Sequence, residues 1–162
     1  MINQTQIKEI IRETLYLMKG KYLSQDAVDF VYEIGLVESR YEYLKQLGDG
    51  PAKSFWQVEV SSCLDNIQNY IAYRKHLIER FSFASNLHES YWVNTDEDTW
   101  DWILTINIAA AIIHCRLKLW RIPLPLPSTL EERAAFWKKH YNTEMGKGTE
   151  AHYIELIQKY DN

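Results

Sequence analysis

The sequence predicts a mainly α-helical single domain with, at most, one small β-hairpin. Three observations predict it. Apolar residues recur at three- and four-residue steps through most of the chain, which is the helical period. Capping residues stand just ahead of several of these apolar runs. The chain has 162 residues, 46% hydrophobic and 14% aromatic, enough to fill one sizeable core and too apolar for general disorder.

Taken in order, Ile7, Ile10, Ile11, Leu15 and Met18 fall on one face of a first helix that Gly20 stops. Ser24 caps a second helix, through Val28, Val31, Ile34 and Val37, which ends beside Glu38. Leu47-Gly48-Asp49-Gly50-Pro51 is a turn, because its glycines permit positive φ and its proline fixes its own. An extended stretch from Phe55 to Val60 leads into a helix starting at Ser61 or Ser62, with Leu64, Ile67, Ile71 and Ile78 on its apolar face. Residues 86–98, acidic and aromatic, have no period and predict a loop. From Asp98 to about Arg121 the pattern predicts one long buried helix, in which Ala109, Ala110 and Ala111 allow close helix approach. Pro123, Pro125 and Pro127 end it. Ser128 and Glu131 fit a capping box for the next helix, and Thr143–Thr149 predicts a turn before a final one.

Lys and Arg total 18 against 22 Asp and Glu, a formal charge of −4. This provides no broad electrostatic footprint for nucleic acid, so no nucleic-acid partner is expected. Arg74, Lys75 and Arg80 form a modest basic stripe. The two cysteines, Cys63 and Cys115, have no metal-ligand spacing, and the five histidines show no paired spacing, so neither a metal nor another cofactor is expected. Buried thiols are the first expectation for the cysteines, with one disulfide as the alternative. The first residues carry charges inside their apolar pattern and make a poor signal peptide. Ile108–Ile113, the most apolar stretch, is far short of the roughly 18 residues of a membrane span, so none is expected.

Four short blocks point to chemistry. Glu38-Ser39 stands at a helix end. Gly50-Pro51-Ala52-Lys53-Ser54-Phe55-Trp56-Gln57 follows, with Gln57 19 residues after Glu38. Asn107-Ile108-Ala109-Ala110-Ala111 and His140-Tyr141-Asn142-Thr143-Glu144-Met145-Gly146 come next. In this order the blocks resemble the E-S, G-A-x-G-L-M-Q, N-I-x-x-G and A-Y-N-A-G-x-G blocks of soluble lytic transglycosylases, in the lysozyme-like superfamily. The resemblance spans Glu38 to Gly148 and leaves out residues 1–24 and the last helix. The family's glycine before L-M-Q is Ser54 here, and that of N-I-x-x-G is Ala111. An insertion around Asp65 to Trp100 lengthens the chain between Gln57 and the Tyr-Asn pair. The compact chain and the W-K-K-H-Y-N-T run also resemble small phage-encoded virion proteins.

The resemblance implies a lysozyme-like α+β fold and cleavage of the MurNAc–GlcNAc bond of peptidoglycan, with Glu38 as the catalytic residue. Glycosidic cleavage needs a protonated acid for the leaving oxygen, and a Glu keeps its proton near neutral pH only in surroundings that oppose ionisation. Val37, Phe55, Trp56 and Tyr141 are the residues expected to supply them. In a transglycosylase one Glu acts as acid and then base, assisted by the substrate's N-acetyl group. A lysozyme adds a second carboxylate, for which Asp49 and then Glu59 are candidates. Ser39, Gln57, Tyr141 and Asn142 are the expected substrate-binding residues. Trp92, Trp100, Trp102, Trp120 and Trp137 either stack on sugar rings or fill the core. The expected partner is the peptidoglycan glycan strand, together with other virion proteins, and the expected location a phage virion, or the host cytoplasm before delivery to the cell wall. The alternative, motivated by Ser54, Ala111 and the insertion, is a catalytically inactive virion structural or assembly protein.

Overall fold

A computed structural model of the chain describes residues 2–142 and 145–160, and its architecture is mainly α. Among the described residues eight helices build a single core: α1 (Gln4–Leu17), α2 (Gln25–Ser39), α3 (Val60–Asn66), α4 (Lys75–Ser85), α5 (Glu97–Ile106), α6 (Ile108–Trp120), α7 (Leu130–Phe136) and α8 (Glu150–Tyr160). Two of them widen at their ends into π turns, α3 into Ile67–Ile71 and α7 into Trp137–Asn142. Strands β1 (Ala52–Lys53) and β2 (Val58–Glu59) pair antiparallel, Ala52 against Glu59 and Lys53 against Val58.

The first two helices form as their local signals require. Ile7, Ile11 and Leu15 of α1, and Met18 just after it, are fully buried, each contributing roughly 1.5–3 kcal/mol of apolar burial. The Ser24 side chain accepts the Ala27 N–H and caps α2. At the far end of α2, Arg40 and Tyr41 take left-handed φ of 53° and 56°, which turns the chain sharply after Glu38 and Ser39. The Tyr41 ring folds back onto the helix and its hydroxyl donates to the Tyr32 carbonyl at 2.8 Å. Gly35 makes this possible, since a Cβ there would lie 2.3 Å from the Tyr41 hydroxyl oxygen.

Several elements depart from the sequence-based expectations. The stretch Phe55–Val60 is not one extended segment: residues 54–57 form the turn of the hairpin, and helix α3 begins at Val60 itself. The helix expected to run through Ile78 breaks after the π turn, and α4 starts afresh at Lys75. The loop expected at 86–98 contains a 3₁₀ turn, Glu89–Val93, which drives Trp92 into the core. The long helix expected from Asp98 to Arg121 is two helices, α5 and α6, bent by 108°. Asn107 makes the bend. Its side-chain oxygen accepts the Ala110 N–H, which starts a new helix, while its Nδ2 donates to the Ser85 carbonyl at 2.9 Å. The capping box falls one residue later than expected, on Thr129 and Glu132.

Helix α6 is the centre of the molecule, packed against α1, α2, α3, α4 and α5. From Ala110 to Leu119 only Lys118 escapes full burial, as expected for a helix enclosed on nearly all sides. The C-terminal pair α7 and α8 is tied to α2 through a buried ion pair. Arg133 donates from Nε and Nη2 to the two oxygens of Glu33, both at 2.7 Å, and the Tyr153 hydroxyl donates to Glu33 Oε2 at 2.7 Å. Among the described residues no single helix is long and apolar enough to cross a membrane.

Candidate functional site

The end of α2, the hairpin, one face of α6 and the π turn after α7 converge on a cavity of about 570 Å³, and Glu38 lies in its wall. The last turn of α2 brings Glu38 there. The side chain faces the cavity on one side and the protein on the other, where Trp137 Nε1 donates to its Oε1 at 2.8 Å. Burial of the carboxyl raises its pKa to about 7, against the lowering effects of the Trp137 hydrogen bond and the Lys118 charge. Near neutral pH the group therefore exists in comparable amounts as acid and as base. A carboxyl with that balance, open to a cavity, is suited to giving and taking a proton in turn.

The hairpin supplies the facing wall. Gln57 lines the cavity with a left-handed φ of 47°, and its Nε2 donates to the Ser54 carbonyl at 2.7 Å, which fixes the amide. Ser54 itself has φ of 68°. That is the conformation glycine adopts at least cost, and this is the position where the resembled blocks carry glycine, so the serine keeps the shape of the turn. Glu59 lines the cavity from β2 and is exposed. The π turn brings Tyr141 and Asn142. The Tyr141 hydroxyl donates to the Trp56 carbonyl at 2.7 Å, and burial raises its pKa well above the ordinary tyrosine range. Past the undescribed Thr143 and Glu144, residues Met145, Gly146 and Lys147 form the rim. Gly148 then passes over the Trp137 ring, where a Cβ would lie 2.3 Å from Cη2.

Of the residues singled out in the sequence, Glu38, Gln57, Glu59, Tyr141 and Asn142 line the same cavity. Ser39 does not: it is buried, its hydroxyl donating to the Gly35 carbonyl and accepting the Tyr41 N–H, so it shapes the helix end. Asp49 lies outside the cavity lining, in the turn, with a left-handed φ of 59°. Phe55 and Trp56 are buried in the core behind the wall, where Trp56 Nε1 donates to the Val31 carbonyl at 2.8 Å. Sequence reasoning missed Lys118, Tyr43 and Gln46, and left Trp137 as one tryptophan among several. Tyr43 lines the cavity and donates to the Glu38 carbonyl at 2.7 Å. Only its place five residues after Glu38 hinted at this.

A second constellation has the composition of a nucleophilic triad. Cys63 Sγ lies 3.3 Å from His114 Nε2, and His114 Nδ1 lies 3.2 Å from Asn66 Nδ2. Its polarity is wrong for catalysis. Arg121 Nη1 donates to Asn66 Oδ1 at 3.0 Å, which directs the Asn66 amide nitrogen to His114 as a donor. His114 Nδ1 must therefore accept, and the ring proton sits on Nε2, facing the sulfur. Burial lowers the His114 pKa to about 3 and raises that of Cys63 well above the usual thiol range. Cys63, His114 and Asn66 are all buried, so the group is a network of the core. Both cysteines are buried free thiols, and no disulfide joins them.

Comparison with protein-family models, with curated proteins and with solved structures found no match for the chain.

Proposed function

We propose that this protein is a peptidoglycan-cleaving glycosidase in which Glu38 is the general acid and base. One observation carries the reading: a glutamate with a pKa of about 7 stands in the wall of an open cavity of about 570 Å³, faced by two amide side chains. The carboxylic acid protonates the leaving oxygen of the glycosidic bond, and the carboxylate it becomes takes a proton from the attacking hydroxyl. Gln57 and Asn142 present the amide groups that pair with N-acetyl and hydroxyl groups of a sugar. Glu59 is the second carboxylate available for a hydrolytic route. Without it, the sugar's own N-acetyl group and 6-hydroxyl complete the reaction as in a lytic transglycosylase. The order of the four sequence blocks supports this substrate, and the left-handed turn at Ser54 removes one reason to read the chain as an inactive relative.

The test is lysis of purified cell-wall sacculi by the wild type and by Glu38→Gln. Lysis by the wild type, reduced at least about 100-fold in the variant, is the expected result. Anhydro-sugar ends identify a transglycosylase, and reducing ends identify a hydrolase. Intact sacculi after treatment with folded wild-type protein, across pH and salt, would overturn the proposal.

A further inference from the structure

Among the charged groups of the cavity lining, Lys118 takes no part in proton transfer by Glu38. Lys118 projects from α6 into the lining, half-buried, where its neighbours on the helix are enclosed. Its ammonium donates to the Tyr141 carbonyl at 3.2 Å and lies 4.0 Å from the centre of the Tyr141 ring, so its position is fixed. An ammonium has three donors, and among the described residues Lys118 forms no ion pair with a carboxylate. Burial lowers its pKa. A desolvated cation without a counter-ion is costly unless something else compensates it. Glu38 and Glu59, the acids that share the cavity, act on Lys118 through space and oppose that lowering, but among the described residues neither closes to an ion pair with it. Lys147 on the rim adds a second positive charge to the same cavity.

We infer that Lys118 is a specificity-determining residue that binds a carboxylate carried by the sugar. The preferred substrate is thus an N-acetylated glycan whose sugar bears a free acid side group, such as a muramyl residue with its lactyl carboxylate not amidated to a peptide. This inference rests on the glycosidase reading of the cavity. It goes beyond that reading by choosing peptide-free strands over peptide-bearing or neutral ones. The chemistry follows from the fixed ammonium: a charge-assisted hydrogen bond to a carboxylate in a partly desolvated groove is about twice as strong as a neutral one. An amide carbonyl at the same place still accepts from the ammonium, but it carries no negative charge, so the attraction between opposite charges is lost.

The test measures binding to Glu38→Gln protein, which keeps the ligand intact. Three ligands of equal length are titrated by calorimetry: a peptide-free muramyl glycan with free lactyl carboxylates, the same glycan with those carboxylates amidated, and a neutral chitin oligosaccharide. The expected result is a free-acid affinity about tenfold above the amidated one. The added substitution Lys118→Met, which keeps an apolar stem of similar length, brings that ratio close to one, and Lys118→Arg keeps part of it. Equal affinity for the free and amidated glycans, or a preference that survives Lys118→Met in a folded protein, overturns the inference and leaves the glycosidase reading standing. Failure to bind any of the three overturns both. Because the comparison of free acid with amide is made first without a change at Lys118, a variant that fails to fold does not remove the test.

Discussion

Trp137 donates its indole N–H to Glu38 across 2.8 Å, joining the π turn after α7 to the last turn of α2. The bond favours the ionised carboxylate, while burial favours the acid, and burial prevails at a pKa of about 7. Trp137→Phe keeps most of the ring and removes the donor. The Glu38 pKa is expected to rise by roughly one unit. Titration of the carboxyl by NMR reads this directly, and the limb of the pH–rate profile that reports Glu38 ionisation should move upward with it. A pKa that stays in place would show that the indole packs without tuning the acid.

The same raised pKa has a cost in stability. In the unfolded chain a glutamate releases its proton near its ordinary value, whereas the native Glu38 holds it to about pH 7. Between those values the native state binds more protons, so stability is fully present below the unfolded pKa and falls as pH rises through the folded one. Glu38→Gln removes the penalty while its amide oxygen still accepts the Trp137 N–H. The variant is expected to match the wild type at pH 4, below the unfolded value, and to exceed it at pH 8, by at most about 3 kcal/mol. Thermal melts at the two pH values check this. Equal melting temperatures at pH 8 would be inconsistent with a buried, ionisable Glu38.

Gly35→Ala tests the helix end that carries Glu38. The added methyl meets the Tyr41 hydroxyl at 2.3 Å, so the ring must leave and its bond to the Tyr32 carbonyl is lost. The expected loss is roughly 2–4 kcal/mol, read by urea denaturation. Activity should fall as well, because Glu38 loses the turn that fixes it. Wild-type stability would mean that Tyr41 finds another place at no cost.

Arg133→Met tests the link between α2 and the C-terminal helices. It leaves the Glu33 carboxylate buried beside Tyr153 with its cation gone. A loss of about 3–5 kcal/mol is expected, or roughly 10 °C in Tm for a chain of this size. Glu33→Met combined with Arg133→Met should recover much of it, since the cost lies in the unpaired charge. A double variant no better than the single one would assign the loss to packing.

Local signals in the sequence were legible where the local chemistry is self-sufficient. Ser24 needs only the Ala27 N–H to cap α2, and the apolar spacing of α1 needs only a core to face. Signals that depend on a distant partner misled. Asn107 sits between apolar residues and looks like one position in a long helix. It becomes a corner because the Ser85 carbonyl lies within reach of its amide. Ser-Thr-Leu-Glu-Glu offers two overlapping capping boxes, and local pattern alone cannot choose between them. In the fold, Thr129 and Glu132 form the box and Arg133, the next residue, meets Glu33.

The cavity was half legible for the same reason. The spacing of Glu38 and Gln57 survives in the sequence because one short stretch of chain holds both. Lys118 and Trp137 reach the cavity from helices whose facing is decided by packing across the core. Neither stands in a pattern that distinguishes it from a solvated lysine or a core tryptophan.

Gly148 gives the rim a further property. It lies against the same indole ring that bonds Glu38, with no room for even a methyl group between. Under the proposed glycosidase function, an engineer who exchanges residues 145–147 to accept a different glycan therefore works on a lever whose fulcrum is Trp137. Grafted loops that keep glycine at 148 can alter selectivity while the proton donor stays tuned. Grafts that place any other residue there push the indole and, on the same proposal, are expected to shift the acid's working pH range along with the specificity.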